Sequence, residues 1–305
     1  MTYDISIIVV NYSQAALTLE CLDSIAAMDT GGHTIHTIVV DNGSPEELKL
    51  PKRYLDNDVE LLRSDSNLGF TGGNNMGMHA ALERHNSEFV FLLNNDAVLD
   101  KRAIVQLCKY AEAHPTAGLI CPKIYFFPGD EFHNKSYSRS QRGKVFWYAG
   151  GSIDWLNLHN FHRGVDEVDL GHFDPQLFSD FATGCALFIR REALEKVGLL
   201  QKKYFLYYED ADWSMRAHRM GYEIGFASQA KVWHHNAGSS GGAGSALHEY
   251  YQTRNRLLFF WTFGDWKTRK TTLGLALRFL LNGTKMERKA ASDAILRRYG
   301  KQPIT

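Results

Sequence analysis

The residues best suited to chemistry stand where apolar runs end. The stretch "FVFLLNNDAVLD", residues 89–100, passes from five apolar residues to Asn94, Asn95 and Asp96. Along a strand, Asn94 and Asp96 would point to one face and Asn95 to the other. A carboxylate at that edge can hold a hard cation such as Mg2+ or Mn2+, which takes oxygen ligands and completes its shell from substrate phosphates. The same three residues also make an ordinary turn. Asp41 in "VVDNGS" carries the same pair of readings: a turn, or a carboxylate that accepts a hydrogen bond from the N–H of a pyrimidine base.

Further along, "FLYYEDADWSMR" places Glu209, Asp210 and Asp212 behind aromatic residues. On a helix Asp212 would pair with Arg216 one turn later. Asp210, at the helix start, is either an N-cap or a general base for a hydroxyl. "KVWHHNAGSS" supplies His234 and His235; imidazole serves as a structural hydrogen-bonder or as a ligand for Mn2+ beside a lone carboxylate. "SNLGFTGGNNMG" opens a helix with glycines whose N–H groups can face a phosphate or a ribose. It is neither GxxxxGK[ST] nor GxGxxG, which argues against a P-loop or a Rossmann dinucleotide site. Trp147 and Trp155, around "FWYAGGSIDW", either stack on a sugar ring or pack in a core.

These residues need elements to position them. "ISIIVVNY", "HTIVVDNGS" and "FVFLLNND" read as strands covered on both faces, with "VELLRS" as a fourth. "QAALTLECLDSIAAM", "GGNNMGMHAALERH" and "KRAIVQLCKYAEAH" read as the helices between and after them. Strand–helix alternation predicts an α/β fold with a Rossmann-like, mostly parallel sheet. Asn11, Asp41 and Asn94 to Asp96 would then meet on the edge where ligands bind. Residues 128–180 have Gly-rich turns and few strong helix signals, and read as a mixed β or loop insertion. After them come a strand over 181–190 with a short helix, a helix over "YYEDADWSMRAHRMG" closed by Gly221, short strands at "YEIGFA" and "AKVWHH", and a helix over 246–262.

With 305 residues, 44% of them hydrophobic, the chain can build one large or two ordinary domains. Thirty-four Lys and Arg balance 34 Asp and Glu, which argues against nucleic acid as the main partner. The balance is uneven: residues 265–301 hold ten Lys or Arg and three Asp or Glu. Cys21, Cys108, Cys121 and Cys185 form no CxxC pair and suit a reducing cytoplasm. No signal peptide is visible, and no apolar run approaches the ~20 residues that span a bilayer. The expected location is therefore cytoplasmic. "TTLGLALRFLLNGTK", surrounded by basic residues, is either a core-packed terminal helix or one that lies on an anionic membrane surface at its inner face.

The order of "SIIVVNY", "VVDNGS", "NLGFTGGNN", "FLLNNDAVLD", "ATGCALFIRREALEKVGLL", "FLYYEDADWSMRAHRMGY" and "AKVWHHNAGSS" resembles the family 2 glycosyltransferases, in particular their rhamnosyltransferase-like branch, over about residues 3–260. The resemblance implies a GT-A fold over residues 1–262, with a nucleotide-binding half at 1–115 and an acceptor half at 116–262. Residues 263–305 would form a basic, amphipathic helical extension. It also implies a nucleotide-diphosphate sugar donor, dTDP-rhamnose or a UDP-sugar, a divalent cation (Mg2+ or Mn2+), a glycan or lipid-linked saccharide acceptor, and inversion at the anomeric carbon.

By the same resemblance Asp210 matches the catalytic base, Asp96 the last acid of the Asp-x-Asp metal motif, His234 the metal-proximal histidine and Asp41 the base-binding acid. Asn94 departs from that motif, being an amide where the first acid belongs. Asn11, Asn67, Gly69, Gly73, Asn74, Asn94, Asn95, Trp147 and Arg254 join Asp41 as candidate donor-binding residues, and Arg256 is considered beside Arg254 for charge stabilisation. Two other readings remain. A sugar nucleotidylyltransferase would carry a Gly-rich, Arg-containing loop after its first strand, where "VNYSQAALTLECL" stands here. A catalytically silent nucleotide-sugar or glycan-binding module is compatible with the amide at Asn94.

Overall fold

The computed structural model describes residues 1–235 and 245–304. Three of the apolar runs become the parallel strands β1 (Asp4–Asn11), β2 (Thr34–Asp41) and β4 (Phe89–Asn94), and β3 (Val59–Arg63) pairs parallel to β2. β1 and β4 are buried almost throughout, as their unbroken apolar sequences require. Helices α1 (Ala15–Ala26), α2 (Lys52–Leu55) and α3 (Gly69–Glu83) occupy the connections. In register, Asn11 lies opposite Asp41 and Val10 opposite Asn94, so the polar strand ends do converge on one edge.

After β4 the chain turns at Asn95 and Asp96 into the short β5 (Ala97–Leu99) and α4 (Ala103–Ala113). The strand alternation expected through Asp96 therefore stops at Asn94. β6 (Ala117–Phe126) follows, then β7 (Phe146–Tyr148) and a separate antiparallel hairpin of β8 (Gly151–Asp154) and β9 (His159–His162). The strand expected over 181–190 is confined to β10 (Ala186–Arg190), which enters the sheet antiparallel between β4 and β6 and leads into α5 (Arg191–Val197). With the last strand, β11 (Glu223–His234), the sheet runs β3-β2-β1-β4-β10-β6-β11-β5.

Helix α6 (Glu209–Arg219) ends in a turn at Gly221, whose φ of +89° places it in the left-handed region that glycine tolerates. Instead of two short strands, "EIGFASQAKVWH" forms one, β11 (Glu223–His234), kinked by a register shift between Ala227 and Lys231. The bulge lets one strand pair with β6 along its length and with β5 at its end. Helices α7 (Ala246–Phe263), α8 (Trp266–Asn282) and α9 (Lys285–Ile295) complete the chain. Ser245, Asp265 and Thr284 cap them, accepting from the N–H of His248, Thr268 and Glu287. α8 and α9 pack on α7 through Leu257, Ala276, Phe279 and Ala291.

Candidate active site

A cavity of about 1050 Å³ opens where the strand ends meet α6 and α7. One wall comes from the turn after β4. Because β11 pairs with β5 in the register His234 to Ala97, the end of β11 is laid beside that turn. His234 Nε2 then stands 3.0 Å from Asp96 Oδ1, and the His235 N–H donates to the Asp96 carbonyl at 2.9 Å. Both side chains are more than nine-tenths buried, yet both line the cavity. Neither ring nitrogen of His234 makes a hydrogen bond of good geometry. Burial works against a charged imidazole there, but Cys185 and the Asp96 carboxylate push its pKa well above the ordinary value.

Trp147 also lines the cavity, with its ring edge-on to His234 at 4.5 Å between centroids. It supports the imidazole as well as facing the open space. Asn94 completes this wall at the end of β4. Asn95 also lines the cavity, with its amide donating to Thr18 Oγ1 of α1 at 3.1 Å and to Gln14 Oε1 at 3.4 Å. His235 bridges Glu20 and Asp130 instead of joining His234. The "AGSS" that follows lies outside the described residues.

Asp210, the second residue of α6, lines the same cavity. Its Oδ2 accepts from the Gly184 N–H at 2.9 Å and its Oδ1 from the Ala211 N–H at 2.7 Å. Burial raises its pKa although these two donors pull it down. Tyr208, not Asp210, occupies the N-cap. Glu209 is buried beside it with Oε2 unpartnered, and burial together with the Asp210 charge pushes its pKa well up. Asp212 pairs with Arg216 at 2.7 Å, as helical spacing predicts.

The loop that delivers Asp210 is strained. Phe205, Tyr207 and Tyr208 all have φ between +67° and +69°, a region bulky side chains avoid. Two adjacent residues of α7 hold it there. Asn255 Nδ2 donates to the carbonyls of Tyr204, Leu206 and Tyr207 at 3.0, 2.7 and 2.9 Å. The Arg254 guanidinium donates to Lys203, Tyr204 and Gly300 carbonyls and to Asn255 Oδ1. This corrects the expectation for Arg254: it is fully buried and spends its donors on backbone, so it is a brace and not a donor-binding group. Arg256 does line the cavity, while donating to the carbonyls of Leu158 and Asn157.

Asn11, Asp41 and Gly73 likewise stand behind the cavity wall. Asn11 Nδ2 donates to Asp41 Oδ1 and Ser44 Oγ, and its Oδ1 accepts from Thr18 Oγ1. Asp41 Oδ2 accepts from the Leu48 N–H at 3.0 Å and is bridged by Arg63. Burial alone would raise the Asp41 pKa, but these partners and Ser44 hold it below the ordinary range. The expected open acceptor at Asp41 is thus closed by the protein's own donors. At Gly73 a Cβ would meet Val10 at 2.7 Å, so that glycine serves the packing of α3 on β1.

Asn67, Gly69 and Asn74 do line the cavity. Asn67 Oδ1 accepts from the Gly69 N–H at 2.8 Å, and Asn74 Nδ2 donates to the Phe70 carbonyl at 2.9 Å. Gly69 has φ +72°, and a Cβ there would lie 2.3 Å from the Phe205 carbonyl oxygen, so only glycine fits. That carbonyl also accepts from the Thr71 N–H at 3.4 Å, which occupies part of the helix start expected to be open to a phosphate. Trp155 stacks on Phe259 at 5.9 Å between centroids, which is core packing.

Several lining groups carried no signal in the sequence. His162 and Asn160 come from β9, and Lys301 to Ile304 from the chain end, neither of which has a periodic pattern. Burial lowers His162 to about 4, so the ring is neutral; its Nδ1–H donates to the Trp147 carbonyl at 3.1 Å and Nε2 is left as an acceptor. Asn160 Oδ1 is buried with no hydrogen-bond partner. Among the described residues no three His, Cys, Asp or Glu side chains gather as a metal site. Asp96 and His234 are a carboxylate and an imidazole side by side, the chemistry that could hold a divalent cation.

A family model described as glycosyltransferase like family 2 matches residues 3–258. The low-salt glycan biosynthesis hexosyltransferase Agl10 of Haloferax volcanii is 28% identical over 259 residues, covering 85% of this chain and 76% of the relative. The N-acetylglucosaminyl-diphospho-decaprenol L-rhamnosyltransferase of Mycobacterium tuberculosis is 25% identical over 256 residues, 79% of each chain. Among solved structures, a mannosyltransferase from Pyrobaculum calidifontis in complex with GDP-Man and Mn2+ superposes with a TM-score of 0.58 at 17% identity, over 100% of this chain and 78% of that one. The fold is GT-A.

Proposed function

Because the chain belongs to the family 2 glycosyltransferases, we propose that it moves a sugar from a nucleotide-diphosphate donor to a hydroxyl of a glycan or lipid-linked saccharide, with inversion at the anomeric carbon. The names of the two relatives support a rhamnose or another hexose as the sugar moved, and dTDP-rhamnose or a UDP-sugar are the donors to try first. The observation that carries this reading is the placement of the Asp210 carboxylate on the same cavity as the Asp96–His234 pair.

Asp210 takes the proton of the acceptor hydroxyl. The oxygen forms its bond to the anomeric carbon through an oxocarbenium-like state as the bond to the diphosphate breaks on the opposite face. The backbone N–H groups of Gly184 and Ala211 fix the carboxylate's orientation before substrate arrives. When bound by Asp96 and His234, a divalent cation would supply Lewis-acid stabilisation of the charge that develops on the leaving diphosphate. His162 Nε2, Asn160 Oδ1 and Trp147 offer hydrogen-bond acceptors and an aromatic face for sugar on the same cavity.

A thermal-shift screen of nucleoside diphosphates with and without Mn2+ tests the reading, since a ligand that binds only the native state raises the melting temperature. A metal-dependent rise with dTDP or UDP is expected. No response to any nucleotide in either condition would overturn it.

A further inference from the structure

We propose that α8 is a docking helix that lies in the plane of an anionic lipid surface. Its buried residues, Thr268, Thr272, Ala276 and Phe279, face α7 and α9. On the other side, Trp266, Leu273, Leu277 and Leu281 fall within an arc of roughly 80° at the helical repeat of about 100° per residue. They are 70%, 46%, 49% and 77% exposed. Single exposed leucines are ordinary, but a stripe of four large apolar side chains along one helix marks a surface that meets something.

The charges around the stripe say what. Lys270 sits inside it, Lys267 and Arg278 flank one side and Arg269 the other, and all four are exposed. Of the three acids of residues 265–301, Asp265 caps the start of α8 itself, Glu287 caps α9, and Asp293 is bonded to Tyr250 and Lys289. A second copy of the chain paired through this face would bring Lys270 and its basic flanks against their own copies. An anionic headgroup layer above acyl chains matches both the cations and the apolar stripe. Among the described residues no helix is long and apolar enough to cross a membrane, so α8 would lie on the surface. Lys267 already sits over the Trp266 ring at 5.7 Å, which keeps the indole and a cation at one level.

This proposal is independent of the donor and the acceptor, and flotation of the full chain with lipid vesicles tests it directly. Binding to phosphatidylglycerol/phosphatidylcholine vesicles at low salt is expected, with at least tenfold weaker partition into phosphatidylcholine alone. Leu277→Glu/Leu281→Glu should lower partition into the anionic vesicles at least tenfold. Lys270→Glu/Arg278→Glu should do the same by removing the attraction while leaving the leucines in place. Unchanged melting temperatures would show that both variants fold. The proposal is overturned if the native chain does not float, or if the leucine variant floats as well as the native one. Sedimentation showing a dimer that both variants dissolve would also overturn it, by making a second copy the occupant.

Discussion

His234 Nε2 and Asp96 Oδ1 lie 3.0 Å apart in a corner of the cavity where both side chains are almost dry. With Asn94 an amide, this pair carries the acidic and imidazole chemistry of that wall. His234→Ala should reduce transfer roughly 100-fold, or raise the Mn2+ concentration for half-maximal rate at least tenfold, as loss of a ligand or its support does. A metal titration of the transfer rate reads this; a change under threefold in both would return Asn95 and Asp96 to the role of a turn.

Asp210→Asn should lower transfer at least ~1000-fold, in the upper part of the range for loss of a general base. The nucleotide-induced thermal shift should survive, because the amide keeps the shape of the side chain. Transfer at the native rate would remove Asp210 as the base.

The raised pKa of Asp210 fixes the direction of two pH effects. The base must be ionised, so kcat/KM should rise with pH through a value above the ~4 of an exposed Asp. Stability moves the other way. A group whose folded pKa is raised contributes stability that is present below its unfolded pKa and is lost as pH climbs through the folded one. Comparing melting temperature with pH for the native chain and Asp210→Asn isolates this term: the native chain should lose stability relative to the variant across that window.

Glu209 is its contrast. Burial and the Asp210 charge push its pKa well up, which favours the neutral acid, and Glu209→Gln keeps the shape of that form. Transfer should stay within about threefold of native and stability within about 1 kcal/mol, a size usual for substitutions that break no partnered group. A loss like that of Asp210→Asn in a steady-state assay would mean that Glu209 works as a carboxylate.

Asn255→Ala should remove one donor from each of three carbonyls in the loop that carries Asp210, of which Tyr204 keeps its bond from Arg254. Each buried acceptor left unpaired costs about 1–3 kcal/mol, and a total of about 2–4 kcal/mol is expected from denaturant unfolding. Because the loop orients the base, kcat should fall more than KM rises, while nucleotide binding persists. An equal loss in both would make the brace purely structural.

The local chemistry of the chain determined much of this. Nearly continuous apolar runs ending in Asn11, Asp41 and Asn94 read as covered strands with polar tips, and parallel pairing brings those tips to one edge. Helical spacing was enough to pair Asp212 with Arg216. What each tip does was not local. Asp41 is closed by Arg63 and Leu48, Arg254 is buried under the strained loop it braces, and Gly73 serves packing, because residues distant in the chain arrive to claim them. The meeting of Asp96 with His234 depends on one bulged strand reaching β5. His162, Asn160 and the chain end enter the cavity from segments with no periodicity to read. A spacing in sequence specifies which way a side chain leaves its own element; which partner it meets is set by packing between elements, and only the tertiary structure contains that.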